Sequence, residues 1–187
     1  MAFRANAVTP RDRMLGALFV LLAVTAESHW MGRATILLSV ALVLAYVLWI
    51  AAAWNNDPVA VLPVCLVAIA VQCLHFWEEF LTGFAGRFPP LLGDDAWSGG
   101  QFVAFNMAWL ALFVLAALGV YRRVALAYLV ILFLALGGGV GNGIGHLLLS
   151  ATQGRYFPGA FTAPACLLAG IALLLRLFGR NRLAPSA

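Results

Sequence analysis

Lysine is absent from this chain, and cysteine nearly so. All eleven basic residues are arginine, only three of 187 residues are cysteine, and 10% are charged. Cys65, Cys73 and Cys166 lie in apolar stretches without a C-x-x-C spacing, which argues against a redox pair, a structural zinc or an iron–sulfur cluster. They read as small buried hydrophobes. The shortage of charge excludes an ordinary soluble domain, in which about 25% of residues are charged and roughly 45–50% apolar. Here 64% are hydrophobic and the mean hydropathy is +0.99, so the composition is that of an integral membrane protein. In that solvent the net charge of +4 reports orientation, and no DNA or RNA partner is expected.

What is present is a series of apolar runs, at about 13–30, 34–54, 58–83, 101–121, 124–152 and 161–178. A helix needs about 20 residues to cross roughly 30 Å of hydrocarbon, so the expected architecture is all-α. It is a polytopic membrane helix bundle of about six transmembrane helices, forming a single integral membrane domain over 1–187 with no room for a soluble one. Turn chemistry separates the runs at 55–58 (NNDP), 86–100, 121–123 (YRR) and 153–159. The first run resembles a signal peptide in having basic residues ahead of it. It ends, however, in Glu27 and His29 without a small-x-small cleavage site, and so reads as a span. No sequence repeat is visible.

Arginine placement sets the topology. Arg4, Arg11, Arg13, Arg122, Arg123, Arg176, Arg180 and Arg182 fall on one side, against Arg33, Arg87 and Arg155 on the other. The positive-inside rule then predicts that both termini are cytoplasmic. The first, third and fifth runs head outward, carrying Glu27 and His29, then His75, Glu78 and Glu79, then Asn142 and His146 to one depth in the non-cytoplasmic half. Every histidine and every glutamate of the chain belongs to that group. Charges in hydrocarbon are expensive, so something must bind or neutralise them.

Helix geometry sharpens the grouping. At about 100° per residue, Glu78 and Glu79 flank the face of His75, with Gln72 one turn toward the cytoplasm. Asn142 and His146 share a face four residues apart. Glycines 137, 138, 139, 141, 143 and 145 crowd the same run, which fits close helix packing or, alternatively, local unwinding beside a cavity. Arg176 is expected to snorkel, Asp94 and Asp95 to be solvated, and Trp30, Trp54 and Trp97 to sit in interfacial belts. Trp77 and Trp109 fit ordinary packing, or the wall of a cavity.

His75-x-x-Glu78-Glu79, Asn142-x-x-x-His146 and Tyr156-x-Pro158-Gly159-x-x-Thr162, in that order, resemble the membrane-protein family named for its H-x-x-E-E motif. The resemblance runs from the third span to the start of the sixth. It implies a multi-span bacterial membrane protein, expected in the inner membrane, with a site shared across the family and no reaction named. Glu27 and His29 lie outside the matched motifs.

A divalent metal is the simplest reason to gather imidazoles and carboxylates, since a cation offsets charge that the bilayer would otherwise force to protonate. Nitrogen with carboxylate oxygen suits zinc, iron or manganese. His75, His146 and one glutamate would hold one metal, leaving the other of Glu78 and Glu79 to move a proton. Adding Glu27 and His29 would allow two metals with bridging carboxylates. Tyr156 is a candidate catalytic donor. Asn142, Asn106, Gln72, Thr162 and Arg155 are candidates for the shell around the ligands. The plainer alternative is a polar network that merely ties helices together.

Two functions remain in view. One is a metal-dependent enzyme acting on a hydrophobic or lipid-like small molecule that enters from the bilayer, a hydrolase ahead of a dinuclear iron oxidoreductase. The other is a small proton-coupled transporter using the His/Glu cluster, with a homo-oligomer supplying the missing half. A haem site is disfavoured because paired carboxylates are poor company for a porphyrin face.

Overall fold

The computed structural model describes residues 8–179. Arg4, Arg180 and Arg182, which enter the orientation argument, lie outside the described residues. Among the described residues there is no strand, and the chain is an all-α bundle.

Helix α1 (Pro10–Met31) starts at a reciprocal cap. Thr9 accepts from the Asp12 amide, and Asp12 accepts from the Thr9 amide in return. At Gly32 the backbone enters φ 74°, a conformation open to glycine, and one 3₁₀ turn over Gly32–Thr35 leads into α2 (Ile36–Ala51). This continuous 42-residue helical run therefore doubles back. The Tyr46 hydroxyl donates to the Arg13 carbonyl at 3.1 Å, and Trp49 covers Gly16 so closely that a Cβ there would lie 2.7 Å from the indole.

Asp57 caps α3 (Pro58–Thr82), and Gly83 ends it at φ 79°. A short helix α4 (Phe84–Arg87) and a 3₁₀ turn (Pro89–Leu92) follow, before the Ser98–Gln101 capping box opens α5 (Gly99–Tyr121). The fifth apolar run becomes α6 (Ala125–Phe133), a π-helical stretch (Leu134–Gly141) and α7 (Asn142–Gln153). Helix α8 (Ala163–Phe178) closes the bundle. Among the described residues, four helical runs are long and apolar enough to cross a membrane, namely Pro10–Ala51, Pro58–Thr82, Gly99–Tyr121 and Ala125–Gln153, while Ala163–Phe178 is shorter. The chain thus has the build of a membrane-spanning protein.

Three details depart from the expectations above. Cys65 and Cys166 are buried, but Cys73 lies on the exposed face of α3. Trp54 is buried against Tyr128, with ring centroids 4.3 Å apart, because its indole donates inward to the Trp49 carbonyl. Asp94 is engaged rather than solvated. It accepts from the Ala34 amide at 2.8 Å and from Arg33 Nε at 3.2 Å, pinning the turn between α1 and α2.

The glycine-rich run stays helical, widened to π geometry, and packs against α8. A Cβ on Gly139 would lie 2.5 Å from Gly170 Cα, and one on Gly143 would lie 2.5 Å from Leu167 Cβ. Close approach explains these glycines, and it brings α7 and α8 together beside α3. The connections are sorted between the two ends of the bundle. Asn55 bonds the Leu177 and Arg176 carbonyls at one end, whereas the 84–98 and 154–162 connections share the other.

Candidate metal centre

Helix α3 presents His75 and Glu79 one turn apart on the face toward α8, and α7 brings His146 to the same point. All three are buried, at 0%, 4% and 4% exposure. Glu79 Oε1 lies 3.2 Å from His146 Nε2 and 3.7 Å from His75 Nε2, and one ligating atom from each residue falls within 4.8 Å of the other two. The two imidazoles meet edge-on, with centroids 4.7 Å apart.

The other ring nitrogens decide what faces the centre. His146 Nδ1 is 2.6 Å from the Pro158 carbonyl, an acceptor only, so Nδ1 carries the hydrogen and a neutral ring presents a bare lone pair at Nε2. His75 Nδ1 is 2.7 Å from Thr162 Oγ1, and its buried Nε2 has no hydrogen-bond partner. Two imidazole nitrogens and a carboxylate oxygen therefore converge on one spot. Lone pairs facing one another in a buried interior repel unless a cation or a proton lies between them.

Glu78 faces elsewhere. Its Oε1 accepts from the Tyr156 hydroxyl at 2.5 Å and the Phe161 amide at 2.9 Å. Its Oε2 accepts from the Thr162 amide at 2.7 Å and the Thr162 hydroxyl at 2.5 Å. Four donors fill a carboxylate's capacity, so Glu78 holds the 156–162 connection instead of pointing at the trio. Thr162 opens α8, yet its side chain makes no helix cap, because the hydroxyl is spent on Glu78 and His75. Burial, joined by the Glu78 carboxylate beside it, pushes the Tyr156 phenol above its usual range.

The remaining candidates are dispersed. Glu27 is buried on α1, which packs on α2 and α6, and its neighbours are Ser39 Oγ at 3.4 Å and the Trp109 side chain. His29 is exposed in the last turn of that helix. The hairpin thus turns both away from the trio, and the second pair of ligands that two metals would require is not assembled among the described residues. Gln72 is buried one turn along α3, its Nε2 unpartnered beside a cavity of about 10 Å³ between the π-helical stretch and α8. Asn106 is buried and donates to the Phe102 carbonyl on its own helix, and Asn142 is half-buried a turn before His146. Arg155 is exposed; the guanidinium near this connection is Arg87, 3.4 Å from the Tyr156 carbonyl and stacked over Phe157.

Sequence reasoning missed three parts of the surroundings. The Pro158 carbonyl carries no side-chain signal. Gly159, at φ 88°, presses its backbone onto both imidazoles, so that a Cβ would sit 2.5 Å from His146 Nδ1 and 2.9 Å from His75 Cε1. Phe84, whose ring centroid is 5.2 Å from that of His146, packs with Phe102 and Phe157 to close the site with apolar surface.

This donor set fits a divalent first-row cation. Bonds of about 2.0–2.2 Å place neighbouring ligand atoms roughly 3–3.6 Å apart, close to the two separations at Glu79. A family model described as "Protein of unknown function with HXXEE motif" matches residues 66–173. The chain belongs to this HXXEE family. The matched region takes in the whole trio, Glu78 and the connection that Glu78 holds, so the HXXEE signature and the cluster are one structural unit. No curated protein and no solved structure is significantly similar to the chain.

Proposed function

We propose that this protein is a metal-dependent intramembrane enzyme acting on a hydrophobic or lipid-like small molecule, and that His75, Glu79 and His146 hold one zinc or iron ion. The observation that carries the reading is the convergence of two Nε2 atoms and Glu79 Oε1 with no hydrogen bond satisfying His75 Nε2. A cation there supplies Lewis acidity for a carbonyl or phosphoryl group, or acidifies water. Because Glu27 and His29 lie on a hairpin turned elsewhere, a single ion is favoured, and with it hydrolysis over dinuclear iron oxidation.

The chain's own groups divide the work. Glu79 binds, while the Tyr156 hydroxyl, whose hydrogen Glu78 holds in the closed arrangement, becomes a proton donor at the rim once that bond is released. Gly159 covers the trio, so substrate gains access as the 156–162 segment moves aside. Exposed apolar side chains occur on both elements that meet at Glu78, Phe161 at 84% on the connection and Trp77 and Leu81 on α3, which suits an approach from lipid. In this reading the rim faces the non-cytoplasmic half of a bacterial inner membrane.

The convergent lone pairs are equally relieved by a shared proton, and that observation keeps a proton-coupled transporter as the second reading. Elemental and absorbance analysis of the purified protein separates the two. Zinc without colour supports hydrolysis, and iron with near-ultraviolet charge-transfer bands supports oxidation. Metal-free protein with flux driven by a pH gradient in liposomes would replace the enzyme by the transporter.

A further inference from the structure

Thr162 and Glu78 form a chain that ends on a ring nitrogen of the trio. The Thr162 hydroxyl has one hydrogen, and its oxygen lies 2.5 Å from Glu78 Oε2, an atom that only accepts when ionised. The hydrogen therefore points to Glu78. The same oxygen lies 2.7 Å from His75 Nδ1 and must accept there, which places the imidazole hydrogen on Nδ1 and leaves Nε2 bare toward Glu79. His75 alone has no carbonyl to fix its tautomer, unlike His146 with Pro158. Without the threonine hydroxyl, its hydrogen is free to move to Nε2 and block the centre.

We infer that Thr162 and Glu78 are positioning residues that set the tautomer of His75, and so the metal affinity of the trio, with the carboxylate charge relayed through the hydroxyl. This rests on the metal reading above and deepens it. Glu78 is the anchor of the relay: the same carboxylate that orders Thr162 also takes the Phe161 amide and the Tyr156 hydroxyl, so the relay and its backbone are held by one group. Outer partners of ligating histidines typically change metal affinity by about 10–100-fold when removed.

The test compares zinc affinity of the full-length protein in detergent, by competition with a chromophoric chelator, for wild type, Thr162→Val and Thr162→Ser. Valine keeps the shape and the Thr162 amide bond to Glu78 but deletes the hydroxyl. Serine restores the hydroxyl. The expected result is a loss of about 10–100-fold in Thr162→Val, with Thr162→Ser close to wild type. Glu78→Gln, which replaces an acceptor with a donor facing amides, is expected to weaken binding as well. Equal zinc affinity in wild type and a folded Thr162→Val overturns the inference while leaving the metal site standing. Equal losses in the valine and serine variants overturn it too, since packing would then account for both. A wild type that binds no metal overturns the metal reading itself, and the inference with it.

Discussion

Gly159→Ala is the sharpest single perturbation of the candidate centre. Gly159 adopts φ 88°, where an alanine is disfavoured by about 1–2 kcal/mol. That part is local. The added Cβ would also lie 2.5 Å from His146 Nδ1, 2.6 Å from its Cε1 and 2.9 Å from His75 Cε1. Ordinary contact begins near 3.4 Å, so the His146 ring must retreat by about 0.9 Å or the connection must lift away. Metal ligands tolerate displacements of only about 0.2 Å. The expected outcome is therefore at least a tenfold loss of zinc affinity, about 1.4 kcal/mol, in addition to lower thermal stability. Gly154→Ala supplies the control, because Gly154 also has positive φ (61°) but nothing within 4 Å of its Cβ position. It should lose the backbone contribution alone and keep wild-type zinc affinity. Chelator competition and thermal unfolding on both variants decide the matter. If Gly159→Ala matched Gly154→Ala in both assays, the backbone would not be packed on the imidazoles and the closed site described above would be wrong.

Three further expectations concern other parts of the structure. Gly143→Leu should break the contact of α7 with α8, where a Cβ alone would already lie 2.5 Å from Leu167 Cβ, destabilising the protein by about 1–3 kcal/mol; a thermal midpoint unchanged from wild type would contradict the packing account. Asp94→Ala removes the acceptor for the Ala34 amide and Arg33, so proteolytic nicking between α1 and α2 should rise while zinc content stays constant, with equal cleavage rates counting against the pinned turn. The raised pKa of Tyr156 means that its protonated form stabilises the folded state. That contribution is complete below the ordinary phenol value of about 10 and lost as pH rises through the higher folded value. Tyr156→Phe should therefore flatten the alkaline fall in stability, and identical profiles above pH ~10 would refute it.

How far the sequence could be read depended on whether a signal was local. The apolar runs, and the grouping of His75 and His146 with one glutamate of the third run, follow from periodicity within single helices and from burial of charge, and they were legible. Rotation between helices was not. Glu27 and His29 reach a similar height to the trio on any count of residues, but α1 pairs with α2 and α6, so Glu27 meets Ser39 and Trp109 instead and His29 is exposed. Glu78 and Glu79 are neighbours in the chain, and only the course of the 156–162 connection separates them into an anchor and a member of the trio. Asp94 looked like a solvated loop acid because its partners, Arg33 and the Ala34 amide, lie about sixty residues away. Backbone groups such as the Pro158 carbonyl leave no residue-type trace. Gly159 was legible as part of a turn, while its contact with two imidazoles was not.

Metal stoichiometry tests the central proposition most directly. Protein purified without chelators should carry close to one zinc or iron per chain by elemental analysis, and both His146→Ala and Glu79→Ala, verified as folded by circular dichroism, should carry essentially none. A metal-free wild type that also takes up none of these ions on titration, or variants that keep the full complement, would contradict the account.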